Sequence, residues 1–481
     1  MPGPPNHAFS NRATPKQLEV ECAILEEHKA PHSAVTETGS RGGSSGTTVE
    51  MAMTAPELDP PRLPTIPPEV MPMRARQFRL PKTFAAMRHR NFQLYFAGQL
   101  ISGIGTWMQI IAQGWLVYQL SKSELALGIV GFASALPALV ITPWGGVVVD
   151  RVSKRTLLVV TQCVAMVLAF VLAFLTFSGI VEVWHVVALA VVLGFVNAFD
   201  GPARQAFVVD MVGRADLSNA IALNSMAFNG SRIFGPAIGG VLLATFGAGW
   251  CFFWNGFTFL AVIIGLLAMR LPPQEFAKRI LSPWQQLRSG VAYANSIEQV
   301  RALLLMAFVL SCFGITYSTI LPAFVDKVLH QDATAFGALN TAAGIGAIVT
   351  AFLIARYGDN GQRGRWLTWS AVAFPVVLCI FALNRVYPIS LVLGVLLGMG
   401  FMSQFTLINT LLQTNISDEM RGRVMSLYTL TFFGFTPFGN LAMGAVAQRW
   451  GLSNAMAGSA LIAFVLAIFV LYKTPQLRQL A

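Results

Sequence analysis

Apolar residues run in long stretches separated by short polar turns from Phe92 almost to the C-terminus. Each stretch holds about 20 residues, which at about 1.5 Å rise per residue spans a hydrocarbon core near 30 Å, so each predicts a transmembrane helix. Twelve are expected, at about 92–120, 125–149, 156–178, 184–211, 218–246, 250–270, 302–325, 334–356, 366–384, 388–413, 422–447 and 453–472. A polar stretch after the sixth divides them into six and six.

Composition agrees with a bilayer as the solvent. The chain is 55% apolar and 11% charged, whereas a soluble domain is about a quarter charged. The fold class expected is therefore an all-α membrane protein of twelve transmembrane helices. A net charge of +11 raises nucleic acid as a partner, but the basic residues are dispersed through short loops and form no single module, so none is expected. Cys163, Cys251, Cys312 and Cys379 lie inside apolar segments and Cys22 in the tail, with no metal-ligand or redox spacing.

Residues 1–75 are rich in Pro, Gly, Ser, Thr and Glu and read as a disordered cytoplasmic tail. No apolar signal region follows the N-terminus, so the first apolar helix is expected to direct insertion. The first half is assigned to residues 76–270, a cytoplasmic linker to 271–301, the second half to 302–473 and a short cytoplasmic tail to 474–481. Within the linker, Ser282-Pro283-Trp284-Gln285 has a capping-box arrangement with Pro at the first helical position, and Leu287, Val291 and Ala294 share a face. That helix either lies along the inner membrane surface or merely tethers the halves.

Lys and Arg are retained on the cytoplasmic side. Arg74, Arg76, Arg79, Lys82, Arg88 and Arg90 precede the first helix, and even-numbered connections hold Arg151, Lys154, Arg155, Lys278, Arg279, Arg288, Arg363, Arg365, Arg421 and Arg423. The opposite loops offer Lys122, Lys327, Arg385 and Arg449. Both termini are therefore expected to be cytoplasmic, in a multi-pass protein of the cell (cytoplasmic or inner) membrane.

The halves echo each other at an offset of roughly 200 residues, the sign of two parallel six-helix repeats about an axis along the membrane normal. Asp150 with Arg151, Lys154 and Arg155 is matched by Asp359 with Arg363 and Arg365. Gly235-Pro236 with Gly239-Gly240 is matched by Gly434, Pro437 and Gly439. Such repeats form a cleft where substrate sits near the midplane while the halves rock.

From Phe92 to Lys473 the chain resembles the major facilitator superfamily. Gly146-Val147-Val148-Val149-Asp150-Arg151-Val152-Ser153-Lys154-Arg155 resembles that family's motif between helices two and three, with Ser153 replacing the usual glycine. The resemblance implies that Asp150 docks at the cytoplasmic end of helix eleven, beside Arg421 and Arg423, and locks the inside-closed state. A helix N-terminus is worth about 0.3–1 kcal/mol to a nearby carboxylate. The alternative is that Asp150 only balances Arg151 and Lys154 in a solvated turn.

Ser231-Arg232-Ile233-Phe234-Gly235-Pro236-Ala237-Ile238-Gly239-Gly240 resembles the motif associated with the family's exporters, with Ser231 where a glycine is usual. Small residues here allow close helix packing and the proline allows bending, which also accommodates packing without directional meaning. Asn197 to Asp200-Gly201-Pro202-Ala203-Arg204-Gln205, followed by Asn219 to Ser225, resembles the subgroup containing the enterobactin exporter and related efflux proteins. The arginine motif of many drug exporters on helix four is absent, so their proton-coupling scheme does not carry over directly.

Arg232 falls near the bilayer centre, where a charge costs about 2.5–3.5 kcal/mol on insertion scales. Asp200 stands at a similar depth on helix four and is the expected partner, with Asn197 and Asn229 each one turn before its charge and Arg204 one turn after Asp200. This central polar cluster either couples transport to protons or is a permanent structural bridge. Gln109, Gln113, Tyr317, Ser318, Gln404 and Asn409 are scattered where the resemblance places the substrate cavity, and each alternatively bonds only to a neighbouring helix.

The sequence holds no G-x-x-x-x-G-K-[ST] or H-E-x-x-H site, and its G-x-S-x-G string, Gly42-Gly43-Ser44-Ser45-Gly46, falls in the Gly- and Ser-rich tail without the strand and helix a nucleophile elbow needs, so no enzyme is expected. No cofactor or metal is expected either, and the six histidines are spread thinly. The expected protein is a monomeric secondary active transporter working by alternating access, a proton-coupled exporter of a small amphipathic drug, siderophore or metabolite. An uptake carrier or facilitator, or a non-transporting receptor or scaffold on the same fold, remain as alternatives.

Overall fold

The computed structural model describes residues 82–149, 151–270, 283–357 and 361–480. Among them are twelve long helices. The first six are α1 (Arg90–Ser121), α2 (Glu124–Val149), α3 (Lys154–Phe177), α4 (Val183–Val212), α5 (Leu217–Phe246) and α6 (Ala248–Ala268). The second six are α7 (Glu298–Thr319), α8 (Ala333–Tyr357), α9 (Arg363–Leu383), α10 (Tyr387–Thr414), α11 (Asp418–Trp450) and α12 (Leu452–Lys473). All but α5 are apolar enough, as well as long enough, to cross a bilayer. A run of Ser218, Asn219, Asn224, Ser225, Asn229, Ser231 and Arg232 makes α5 the exception.

The pairings repeat after six helices. In the first half α2 packs on α4, and α3 on α4 and α6; in the second, α8 packs on α10, and α9 on α10 and α12. The halves meet through α2 against α11 and α5 against α8, two seams that exchange when the repeats are swapped. The turns repeat as well. α5 passes into α6 through Gly247 alone at φ 88°, and α11 into α12 through Gly451 alone at φ 86°. A backbone in that region favours glycine because a Cβ would strike the following carbonyl.

With helices alternating in direction, Arg90 and Lys473 lie at one end of the bundle, called the near end, and Ser121 and Glu124 at the other, the far end.

The expected single helix over 302–325 is broken. After Val309 the chain makes a π turn (Leu310–Gly314), a 3-10 turn (Ile315–Thr319) and a separate helix, Leu321–Lys327. Pro322 supplies no N–H to the preceding turn, which accounts for the fresh start. The π turn is held by Ser311, whose hydroxyl donates to the Phe432 carbonyl of α11 at 2.5 Å and lies 2.9 Å from Thr436 Oγ1.

Between the halves, a helix over Pro283–Ser296 begins at the proline, as its capping signal predicts. It packs on the first turns of α11, with Ala294 buried and Val291 exposed, so the expected shared apolar face is split. At the C-terminus Leu477 is buried and the Leu480 carbonyl accepts from Gly364 N at 3.0 Å, tying the last residues to α9. The expected N-terminal tail, Asp150, Ser282, Asp359 and the linker residues 271–282 lie outside the described residues.

Candidate functional site

Asp200 is buried in α4 and faces α3. Its Oδ1 accepts from Thr161 Oγ1 at 2.8 Å and Gln162 Nε2 at 2.9 Å, and its Oδ2 accepts from Arg204 Nε one turn along α4. Arg204 is only partly buried, so one end of the pair is reached from outside the helix packing. Gln162 Oε1 is buried with no hydrogen-bond partner among the described residues.

The expected Asp200–Arg232 pair therefore does not form. Depth along a helix put the two at the same level, but rotation separates them: α4 turns Asp200 toward α3, while α5 is packed between α1 and α8. The amides do not join them either. Asn197 is exposed, and Asn229 donates to the Ser225 carbonyl of its own helix at 2.8 Å.

Arg232 instead lies among rings from both halves. Its guanidinium carbon is 5.8 Å from the Trp107 ring centroid on α1 and 5.3 Å from that of Phe401 on α10. No carboxylate pairs with Arg232 among the described residues.

Of the small residues that follow Arg232, Gly235 and Gly239 seat α5 on α1 of its own half, and Pro236 and Gly240 form the seam with α8 of the other half. A Cβ on Gly239 would stand 3.0 Å from Met108 Cα of α1, and Gly235 meets Ile104 and Trp107. A Cβ on Gly240 would stand 2.7 Å from Gly337 Cα of α8, and one on Gly337 would stand 2.8 Å from the Pro236 carbonyl oxygen. Gly128 and Gly444 make the matching approach of α2 to α11.

The far end is closed by charges that sequence reasoning did not assemble. Lys327 Nζ donates to buried Glu124 Oε1 at 2.6 Å, and Tyr118 OH donates to Asp326 Oδ2 at 2.7 Å, each across the halves. Lys122 adds a weaker contact to Asp326 at 3.5 Å. Gln448 of α11 accepts from Ser123 Oγ and from the Glu124 and Leu125 N–H groups at 2.9, 3.1 and 3.4 Å, capping α2 from the opposite half. The signal was present as matched charges after the first and seventh spans, Lys122 and Glu124 against Asp326 and Lys327.

At the near end, Gly146 lies in the last turn of α2, while its partner in the expected latch, Asp150, is outside the described residues. Arg151 is exposed, Lys154 pairs with Asp210 of α4 at 2.7 Å, and Arg155 donates to the Leu267 carbonyl at 2.6 Å. Arg421 Nε donates to the Gln413 carbonyl at 3.2 Å, and Arg423 Nη1 lies 3.6 Å from Met420 Sδ.

Of the expected cavity residues, Gln109 accepts from Asn255 of α6 at 2.6 Å, and buried Gln404 donates to the Ser370 carbonyl of α9 at 3.2 Å. Asn409 accepts from Gln413 at 2.5 Å, and Gln113 is half-buried. Tyr317 is half-buried, with its ring 6.2 Å from that of Phe381 on α9.

The family described as transmembrane secretion effector matches residues 81–480. The staphyloferrin A transporter of Staphylococcus aureus (strain NCTC 8325 / PS 47) is 24% identical over 359 residues, covering 74% of this chain and 90% of that protein. The multidrug efflux pump Tap of Mycolicibacterium fortuitum is 25% identical over 391 residues, covering 79% of this chain and 95% of that protein. In fold, the nucleoside transporter NupG matches with a TM-score of 0.63 at 14% identity over 80% of this chain and 98% of that one. A bacterial homolog of the human lysosomal transporter Spinster, inward-facing and occupied, matches with a TM-score of 0.56 at 15% identity over 82% of this chain and 98% of that one.

Proposed function

Because the chain belongs to the transmembrane secretion effector family of major facilitator transporters, we propose that it is a proton-coupled exporter. It moves a small amphipathic compound (a drug, siderophore or metabolite) out of the cell by alternating access in the cell membrane. The near end, which carries most of the loop Lys and Arg, is the cytoplasmic end. The observation that carries this reading is the arrangement around α5: the small-residue seam and the Glu124–Lys327 bridge close the far end, below which Arg232 stands between the halves.

The two seams supply the moving parts. Backbones at Gly240 and Gly337 touch without side chains between them, so the halves separate there without unthreading interdigitated residues. A central site then faces one side or the other as two discrete packings exchange.

Asp200 is the coupling group. It is a buried acid whose cation, Arg204, sits one turn away and is partly accessible. Exchange of Arg204 for a proton at Asp200 ties the charge state of the first half to its packing, and each charge moved is worth about 2.3 kcal/mol per 100 mV. Relatives named as a staphyloferrin A transporter and a multidrug efflux pump support a small-molecule cargo.

The test is transport in proteoliposomes under an imposed pH gradient, with a panel of dyes, siderophores and sugars. Asp200→Asn is expected to keep downhill exchange and lose pH-driven accumulation. Unchanged pH-driven transport by a normally inserted Asp200→Asn protein would sink the coupling, and net inward accumulation of a sugar would sink export.

A further inference from the structure

We propose that Arg232 is an anion-binding subsite, and that the transported molecule carries a carboxylate or phosphate-like group on an apolar, ring-bearing body. The proposal deepens the transporter reading and rests on it.

The first observation is where Arg232 stands on α5. Ile221, Ser225, Phe228 and Arg232 follow one another at helical spacing on one face. The first three are exposed and Arg232 half-buried, with Ile221 54% and Phe228 60% exposed. The same row continues as Gly235 and Gly239, both buried against α1. Arg232 therefore marks the level at which an open strip of α5 becomes a sealed one. It is fifteen residues into a thirty-residue helix, the middle of the bilayer.

The second observation is charge balance. Asp200 is matched by Arg204, Glu124 by Lys327 and Asp326 by Lys122. Arg232 has Trp107 and Phe401 and, among the described residues, no acid. Cation–π contacts are worth about 0.5–1 kcal/mol at exposed sites and about 2 when desolvated. An arginine at this depth costs about 2.5–3.5 kcal/mol on insertion scales, so the rings offset only part of it and an arriving anion supplies the rest.

The third observation is chemical fit. A guanidinium offers a planar fork that takes carboxylate or phosphate through two parallel N–H···O bonds and still stacks on aromatic faces. The walls come from three helices: Trp107 on α1, Phe228 on α5 and Phe401 on α10, with Phe228 edge-on to Trp107 at 5.9 Å. An anionic head on Arg232 leaves an aryl or alkyl body against these rings. Because the walls belong to both halves, such a ligand touches both.

The experiment compares three probes that share one aryl body: 1-naphthoate, its neutral amide 1-naphthamide, and 1-naphthylmethylammonium. Binding is measured on the full chain in detergent, with no gradient. Naphthoate is expected to bind at least tenfold more tightly than the amide, with the ammonium weakest. Arg232→Gln should erase the preference, and Arg232→Lys should keep a reduced one. Naphthoate bound no more tightly than the amide, or not bound, overturns the subsite, as does undiminished preference in Arg232→Gln; the wild-type comparison decides the matter even where that variant fails to fold. Counterflow in proteoliposomes separates this from the parent reading. Transport of neutral and anionic probes alike overturns the subsite alone, whereas anion-selective binding without any counterflow supports the subsite and overturns the transporter reading.

Discussion

Asp200 shows what a buried charge requires of its neighbours. Two neutral donors on α3 and a cation on its own helix satisfy the carboxylate. Replacing Arg204 by Gln leaves a buried anion with the neutral donors alone. Because solvent reaches part of Arg204, the expected loss is about 1–3 kcal/mol, read as a lower melting temperature in detergent. Asp200→Asn in the same chain should restore most of that loss, and additive losses in the double variant would show that the two residues are not coupled. The sequence carried the depth of Asp200 and Arg232 but not their direction. Depth is counted along one helix, whereas the facing of Asp200 toward α3 and of Arg232 toward Trp107 depends on how three helices pack. For the same reason Gln109 and Gln404, polar residues at plausible depths, prove to be bonded within their own halves.

At the scale of the element, α5 is the long helix without an apolar stretch sufficient to cross a bilayer, and it also bears the seam with α8. Its lower part presents Arg232 and Phe228, while its upper part is reduced to glycine and proline where α1 and α8 close in. A methyl at Gly240 meets the backbone of Gly337, which cannot rotate away. Gly240→Ala is expected to destabilise the far-end-closed state by about 1–3 kcal/mol through overpacking. Spin labels at Ile180 and Arg385, on far-end turns of opposite halves, should report a longer separation in that variant; an unchanged distance distribution would show that the seam yields elsewhere. Helix existence was legible from apolar length, and the break in α7 was signalled by Pro322. Two further echoes lay open in the sequence, Gly247 and Gly451, each a single-residue joint at φ near 88° and 86°. The π turn at Leu310–Gly314 had no such signal, because it is fixed by contacts to α11.

At the scale of the whole molecule, the repeat decides which helices meet. Once α2 packs on α4 and α8 on α10, the seams α2–α11 and α5–α8 are images of each other. The charges that close the far end do not follow from hydropathy, since loop residues look alike until the halves are docked. Glu124 is buried and Lys327 half-exposed, so Glu124→Lys should break the bridge and set two cations together. Turnover in proteoliposomes is expected to fall severalfold, and the exchanged pair Glu124→Lys with Lys327→Glu should recover it. Failure of the exchanged pair to recover turnover would assign Glu124 a role other than the bridge.

Gln448 brings water into the account. Two of the three groups it accepts are main-chain N–H groups at the start of α2, and a helix end released from its cap does not stay bare. Parting the far end strips the glutamine away, and solvent must take its place within the same motion. Hydration is thus a reactant in opening and a product of closing. Osmotic stress from solutes too large to enter the opened mouth favours the closed form, giving the cycle a sensitivity to water activity that no titrating or binding group on the chain supplies.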